Sequence, residues 1–390
     1  MNGNGFVALL VALLVGSLMP CAGVSAATDK VTNADAGAPL DFAALIYAQA
    51  YLASQDLAQS ALNPNNVLAI PSTQAEVEIR PDFLLSNDFI ELVFKPRFVV
   101  TRRDWSEGLL DGTSDSESDA YVQEGYARIR LNDSFFVSYG RENLQWGPSY
   151  LLSPSNIFNV ENGRNSPQAE VPGMEYARMV WIPDNTWSLS LIANTGKGRS
   201  DQVDFKKVYA LKIDYTNEHK YFSLIPSYQD DGDASLGYLA GWTATDALLL
   251  YFEGRAGEGN SDQFLLGGTY TLEGGSAIAM EFFHNSEGCT NSSVVVCYTP
   301  GNTPAANAYV RKNYLMLQYL DTALYDDIDL TVRYIHGLDD DSSRLIGILE
   351  YELGQNAKLF AVGNLFHGDS KTEFGSLLNH SILVGVGYTF

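Results

Sequence analysis

From residue 74 to the C-terminal Phe390, apolar and polar residues alternate with a period of two in one segment after another. In "QAEVEIRPDF" the charged side chains from Glu76 to Asp82 take every second position, and in "DIDLTVRYI" the apolar ones from Ile328 to Tyr334 do so. Successive side chains of a β-strand point to opposite faces. Each segment therefore predicts a strand with one apolar and one charged face.

These predicted strands are long for a soluble protein. The alternating segments run for about 9 to 14 residues, whereas a typical strand has about 5–6 and a tilted membrane strand about 9–11. Aromatic residues recur at the segment ends, among them Trp187, Tyr215 and Tyr388, as in the interfacial girdles of membrane barrels. A soluble sandwich also alternates, but the lengths and the aromatic ends favour strands that span a membrane.

Short and long connections separate the segments in turn. The long ones cover residues 102–118, 142–169, 286–306 and 367–378. Tight polar turns lie near residues 86, 132, 185, 217, 244, 274 and 355. Short periplasmic turns and long extracellular loops are the arrangement of outer-membrane barrels.

The number of strands follows from the direction of the first hairpin. Residues 74–390 hold about 17 candidate strands, and an exported chain that begins in the periplasm needs one more before residue 74 to reach an even number. The stretch "LDFAALIYAQAYLASQD" is long enough to supply it. We therefore predict an all-β fold, a transmembrane antiparallel up-and-down β-barrel of about 18 strands over residues 41–390. A plug helix in that stretch would leave 16 as the alternative.

The beginning of the chain predicts export. Residues 1–26 contain the apolar run "FVALLVALLVGSLMP" and end in "VSA", which is typical of a cleaved signal peptide, although no Lys or Arg precedes the run. A membrane anchor is disfavoured because the run is short and interrupted by Gly16 and Pro20. Residues 27–40 would form a short periplasmic segment.

The end of the chain supports the same location. In "SILVGVGYTF" apolar residues alternate as far as Tyr388 and Phe390. This resembles the C-terminal signature of outer-membrane β-barrels of Gram-negative bacteria. The resemblance implies that Tyr388 and Phe390 are recognised by the barrel-assembly machinery, and that the protein is integral to the outer membrane, in contact with its lipid and lipopolysaccharide.

Composition excludes several classes of function. A net charge of −23 with 46% hydrophobic residues does not suit a nucleic-acid binder or a disordered acidic tail. Cys289 and Cys297 in "GCTNSSVVVC" predict a disulfide in an exported chain, since zinc would require more ligands nearby. The sequence shows no nucleophile elbow, phosphate-binding loop, metal-ligand spacing or cofactor motif, so we predict neither an enzyme nor a bound cofactor or metal.

The connection 142–169 is the most unusual loop. It carries Trp146, Tyr150 and Phe158, which a solvated loop does not normally display, and its Pro and Gly residues define turns. We expect it to fold inward and narrow a pore. A loop packed over the rim, or used in a contact between copies of a homo-oligomer, is the alternative.

Part of this loop, "GRENLQWGPSYLLSPSN", resembles a segment of porin-like barrels and is also similar to the outer-membrane lectin barrels that attach capsular polysaccharide. The two resemblances imply different functions. One is a channel for diffusion of small polar solutes or ions. The other is a non-conducting surface barrel that binds capsular or other extracellular polysaccharide, or a partner protein.

Charged residues on the predicted inner face are the candidates for the pore. Opposite charges across a narrow, water-filled lumen would create a transverse field that orients polar solutes. The simpler alternative is that any wide barrel fills its lumen with charge and water. The candidates for the pore and its constriction are Glu78, Arg97, Arg128, Arg130, Arg141, Trp146 and Tyr150.

Overall fold

The computed structural model describes residues 39–164, 168–199, 205–230, 232–258, 261–298 and 309–390. They form one antiparallel sheet of 18 strands, which closes because β1 pairs with both β2 and β18. A helical turn, α1, covers Val294–Cys297, and single 3-10 turns lie at Pro64–Asn66 and Gly108–Leu110. The strands are β1 Asp41–Leu57, β2 Thr73–Ser86, β3 Ile90–Asp104, β4 Ser114–Asn132, β5 Phe135–Glu142, β6 Met174–Trp181, β7 Trp187–Gly196, β8 Val208–Thr216, β9 Lys220–Gln229, β10 Ala234–Thr245, β11 Leu248–Gly257, β12 Gln263–Thr271, β13 Ala277–Asn285, β14 Asn313–Leu324, β15 Ile328–Gly337, β16 Ser342–Leu353, β17 Ala357–His367 and β18 Leu378–Thr389.

The strand expected before residue 74 is β1, so the prediction of an 18-stranded barrel is confirmed and the 16-stranded alternative with a plug helix is wrong. The backbone N–H of Phe390 donates to the carbonyl of Ile46 at 2.8 Å, which ties the end of the chain to β1. The proposed signal peptide and residues 27–38 lie outside the described residues and stay predictions. None of the helices in the described part of the chain is long and apolar enough to cross a membrane.

The tight turns lie where the sequence predicts them, and one further turn was missed. It joins β14 to β15, where Tyr325 and Asp326 have φ of 53° and 71°. Such left-handed pairs usually contain Asn or Gly. The sequence "LYDD" contains neither, and its only turn signal is the pair of aspartates.

The apolar faces of the strands point outward, as the alternation predicts. Ile382 and Val384 of the last strand are half exposed on this face. Trp187 packs edge-to-face on Tyr215, with ring centroids 5.0 Å apart, near the short-turn end of the barrel. A closed barrel satisfies the backbone of every strand internally, which a bilayer requires.

The wall of the barrel is uneven in height. Strands β1 and β4 contain 17 and 19 residues, whereas β5 and β6 contain 8 each. Only the part of β4 from Gly125 to Asn132 pairs with β5. The upper part of β4, on the long-loop side, therefore rises above its neighbour.

The interior is only partly the polar, water-filled lumen expected from the sequence. A large apolar cluster joins Leu151 and Leu152 of the β5–β6 loop to inward side chains such as Phe283 and Ile335. A second cluster gathers around Phe158 of the same loop. The alternation predicted which residues face inward, but not that an apolar loop would enter and pack against them. Ion pairs line the side formed by β2–β5, and further inward polar groups, such as Arg333 and Arg344, lie on β15 and β16.

Candidate functional site

The connection between β5 and β6, residues 143–173, enters the barrel; we call it the inward loop. Leu151, Ser155 and Asn156 in it are fully buried. Its backbone and side chains bond to inward-facing residues on opposite sides of the barrel wall. The placement of residues 142–169 inside the barrel, expected from their aromatic content, is what the described part of this loop shows.

The first part of the inward loop, at Tyr150 and Leu151, is held by Glu281 of β13. This buried carboxylate accepts the backbone N–H groups of Tyr150 and Leu151 at 2.7 and 2.8 Å. It also accepts the Tyr251 hydroxyl at 2.6 Å. Two N–H groups that have no strand partner thus find a buried acceptor, and a buried donor left without an acceptor would be costly.

A second buried carboxylate, Glu253 of β11, holds the next residues of the loop. The Ser155 hydroxyl donates to it at 2.7 Å, and the Ser153 hydroxyl lies 3.0 Å from the same oxygen. Gly147 has φ of +94°, and a Cβ there would lie 2.6 Å from the Glu253 carboxylate. The Trp-Gly-Pro sequence therefore needs glycine both for its backbone conformation and for this close approach.

The other end of the loop crosses in front of β2 and β3. The Arg97 guanidinium donates to both oxygens of Glu170, at 2.5 and 2.8 Å. Arg80 donates to the carbonyl of Gln168 at 2.5 Å and pairs with Glu78 at 2.6 Å. We call Glu78, Arg80, Arg97 and Glu170 the constriction cluster, because it brings the loop and the charged wall together.

Glu170 is held in its charged form within this cluster. Burial by itself would raise its pKa, but the hydrogen bonds from Arg97 and the charge of Arg80 outweigh burial and lower it. Arg97 is only 2% exposed and is also paired with Asp82 at 2.9 Å. The loop therefore presents a fixed negative charge to Arg80 and Arg97, which are also paired with Glu78 and Asp82 of the wall.

A cavity of about 430 Å³ lies on the extracellular side of the constriction cluster. Acidic residues outnumber basic ones in its lining, and each arginine in it is already paired with a carboxylate. Glu76 accepts the Thr101 hydroxyl at 3.0 Å and has no cationic partner among the described residues. The charged lining residues are Glu76, Glu78, Glu117, Asp119, Glu170, Arg80, Arg103 and Arg199.

Ion pairs continue from the constriction cluster toward the short-turn side. Lys95 pairs with Glu124 at 2.6 Å, and Arg128 pairs with Glu91 at 2.9 Å. All four side chains lie on the inner faces of β3 and β4. Together with the cavity they form a polar strip that follows one side of the barrel interior.

The structure separates the predicted pore residues. Glu78 and Arg97 meet in the constriction cluster, whereas Arg128 lies farther along the strip and Arg130 is exposed beside the short β4–β5 turn. Arg141 is not in the lumen. It alternates in phase with Tyr139, which is 65% exposed on the outer face, and it pairs there with Glu175. Closeness to the loop in sequence was a poor guide, because successive strand residues alternate between the two faces and each advances about 3.3 Å.

The two aromatic candidates serve to pack the loop. Trp146 meets Phe158 edge-to-face with centroids 5.9 Å apart, and the ammonium group of Lys212 lies 5.7 Å from its ring. The Tyr150 ring lies 5.3 Å from the guanidinium of Arg164, within the same loop. Neither ring lines the cavity above the constriction cluster.

Sequence reasoning missed three residues that matter most here: Glu170, Glu253 and Glu281. The two strand glutamates carried a usable signal, because each is a single inward acidic residue in an apolar segment, "LLLYFEGRAG" and "AIAMEFFHN". Such a residue needs a buried partner. Glu170 carried no such signal, because the path of a loop does not follow from the alternation of apolar and polar residues.

Away from the polar strip, the sulfur atoms of Cys289 and Cys297 are 2.15 Å apart. This is within bonding distance, as the disulfide prediction requires. The loop that they close packs beside Arg311, whose Nε donates to Asp340 at 2.8 Å. Three extracellular connections meet at this point. Glu373, from the β17–β18 connection, accepts the Tyr314 hydroxyl at 2.5 Å and the Val310 N–H at 3.1 Å.

Stability of this loop junction should depend on pH through Glu373. Burial raises its pKa to about 7, despite the opposing hydrogen bond from Tyr314. The folded state therefore holds a proton that the unfolded chain releases near its usual value of 4.5, and the stabilisation present at low pH is lost as the pH rises through about 7. We expect amide exchange in residues 368–377, corrected for the intrinsic rate, to be faster at pH 8 than at pH 5.

The Glu373→Gln variant should remove this pH dependence. Asp369→Asn, an exposed acid of the same loop, is the matched control and should retain it. An unchanged slope in Glu373→Gln would show that another group is responsible.

Comparison with known proteins gives the fold a context. No protein-family model and no curated protein sequence matches the chain. Among solved structures, Acinetobacter baumannii OccAB3 is similar with a TM-score of 0.59 at 11% identity, over 90% of this chain and 99% of that one. Pseudomonas aeruginosa OccK7 (OpdD) gives 0.54 at 12%, over 90% and 98%.

A further similar structure is Wzi of Escherichia coli, described as an outer-membrane protein involved in group 1 capsule assembly and as a carbohydrate-binding β-barrel. It has a TM-score of 0.56 at 10% identity, over 88% of this chain and 84% of Wzi. At these identities the similarity concerns the fold. The closed 18-stranded sheet, its outward apolar faces and these neighbours together show that the chain has the fold of the integral β-barrels of the bacterial outer membrane.

Proposed function

We propose that this chain is a porin-like channel for diffusion of small polar solutes or ions, with the inward loop as one wall of the path. The observation that carries the proposal is the constriction cluster. In it the loop carboxylate of Glu170 lies directly against Arg97, on a side of the interior where polar groups run from the extracellular cavity toward the short turns.

The geometry supports a path along the wall and not along the barrel axis. The apolar clusters around Leu151 and Phe158 fill much of the space between the inward loop and β6–β18. Water and ions avoid such surfaces, which favours the polar strip along β2–β5 as the route. The paired opposite charges along its wall would orient a dipolar solute as it passes beside them.

The charges favour cations. The cavity above the constriction cluster has more carboxylates than arginines, and the whole chain carries −23. A concave site lined by one excess sign of charge concentrates ions of the opposite sign. The preference should weaken as salt rises, because screening shortens the range of the field.

Single-channel recording in a planar bilayer tests the proposal. We expect small, steady conductance steps, and under a salt gradient a reversal potential with the sign of cation preference. The refolded protein must first show a heat-dependent shift in electrophoretic mobility, to establish that the barrel is folded. A folded barrel that never conducts would contradict the channel and favour the second function below.

The second function is a non-conducting surface barrel that binds capsular or other extracellular polysaccharide, or a partner protein. Similarity to Wzi favours it, as does the extent to which the inward loop fills the interior. Binding of acidic or neutral polysaccharide to the folded, non-conducting barrel would support it. We propose no catalytic role under either function.

A further inference from the structure

The upper part of β4 has a free edge toward β5. Pairing between the two strands begins at Gly125 and continues only toward the short turn. Among the described residues, no backbone group outside β3 bonds to the segment Ser114–Ala120, which we call the β4 edge. All seven of its residues are exposed. It offers a row of N–H and C=O groups with the spacing that a further strand needs.

The side chains of the β4 edge alternate between acid and serine in "SDSESDA". Asp115, Glu117 and Asp119 share the face that also borders the extracellular cavity. Arg103 of β3 lies 4.0 Å from Asp115 and 3.0 Å from Glu117, yet these carboxylate side chains remain 63% and 60% exposed. They can still meet additional cations.

A basic side chain from another part of the chain already contacts the β4 edge in the structure. Arg199, in the β7–β8 connection, pairs with Asp119 at 3.0 Å. Its guanidinium also lies 3.8 Å from the ring of Tyr121. The contact shows that a basic side chain approaching from beyond β4 finds a suitable partner on this face. Above Asp119, in the part of the chain that the structure describes, the carboxylates of Asp115 and Glu117 share a single basic partner, Arg103 of β3.

We propose that the β4 edge binds an extended peptide segment of a partner protein, with Lys or Arg at alternate positions, as an added strand. Side chains directly opposite on paired strands lie about 4.5–5.5 Å apart, so basic residues two apart on the partner would face Asp115, Glu117 and Asp119 in turn. Main-chain hydrogen bonds supply affinity in this binding mode, and alternate side chains supply specificity.

The same charges argue against a second copy of this chain at the β4 edge. Pairing the edge with itself would set carboxylates opposite carboxylates, and directly opposed like charges destabilise a sheet. A basic peptide reverses the sign of every such contact. The proposal does not depend on whether the barrel conducts.

Two synthetic peptides of equal composition test the proposal on the full chain in detergent micelles. One alternates threonine and lysine over seven residues, and the other groups its lysines together. We expect the alternating peptide to bind about tenfold more tightly and to slow amide exchange across residues 114–120. Equal binding of both peptides, or binding without slowed exchange there, would overturn the added strand and leave only a non-specific charge attraction.

Two double variants test whether the peptide binds the β4 edge or any part of the acidic surface. Asp115→Asn with Glu117→Gln should weaken the alternating peptide about tenfold. Asp326→Asn with Asp327→Asn removes the same charge from the turn at the opposite end of the barrel and should leave binding unchanged. Equal loss of binding in both variants would also contradict the proposal.

Discussion

Replacing Glu281 with leucine is expected to detach the inward loop from β13 and to enlarge the conductance of the channel. The substitution leaves the N–H groups of Tyr150 and Leu151 and the hydroxyl of Tyr251 buried without their acceptor. Removing the buried carboxyl group relieves its desolvation, but the unsatisfied donors outweigh that gain. We expect local opening of the loop to become easier by about 3–5 kcal/mol.

Amide exchange at Tyr150 and Leu151 measures this effect directly, because their N–H groups bond to the substituted side chain. Exchange should become faster by at least two orders of magnitude for a change of roughly 3 kcal/mol. Glu281→Gln keeps the shape and one carbonyl oxygen, so its effect should be intermediate. Unchanged exchange at both amides in a folded Glu281→Leu barrel would show that Glu281 does not hold the loop.

Replacing Glu170 with lysine should reverse the ion selectivity of the channel. In the constriction cluster the new ammonium group would lie beside Arg97 and near Arg80, where a carboxylate now neutralises them. Among the described residues, Arg97 would keep only Asp82 as an acidic partner. Like charges this close in a poorly solvated site repel by several kcal/mol, so cations should be excluded and anions admitted.

The measurement is the reversal potential under a salt gradient, whose sign should change in the Glu170→Lys variant. Glu170→Gln should give an intermediate value, because it removes one charge with little change in shape. Asp133→Lys makes the same change of two charges at an exposed position in the β4–β5 turn, away from the cluster, and should leave the sign unchanged. If Asp133→Lys and Glu170→Lys shift the potential equally, the path does not pass the constriction cluster.

Much of the barrel was predictable because a membrane strand must obey a simple local rule. The alternation that placed Glu78 and Arg97 on an inner face, and Ile382 on an outer one, depends only on neighbouring residues and on the two environments that they meet. The count of 18 strands needed one more argument, that the number should be even, and β1 confirms it. Arg141 failed because its closeness to the loop in the chain was given more weight than its alternation with Tyr139.

The constriction cluster was only half predictable for a different reason. Its strand residues follow alternation, but Glu170 comes from a loop of some thirty residues whose path depends on contacts far away in the chain. Glu281 is 130 residues from Leu151, and Glu253 is 98 residues from Ser155. Nothing local to Glu170 specifies that the loop will be anchored at those two glutamates and return along β3.

By itself, the sequence determined the fold class, the faces of the strands and the apolar character of the loop, since each depends on short-range periodicity or composition. Only the tertiary structure decided that the loop packs an apolar core into the interior and that a strip of ion pairs runs along β2–β5. It also decided that β4 rises above β5 with a free edge. These features depend on which distant side chains meet when the sheet closes, and closure joins residues that the chain keeps hundreds of positions apart.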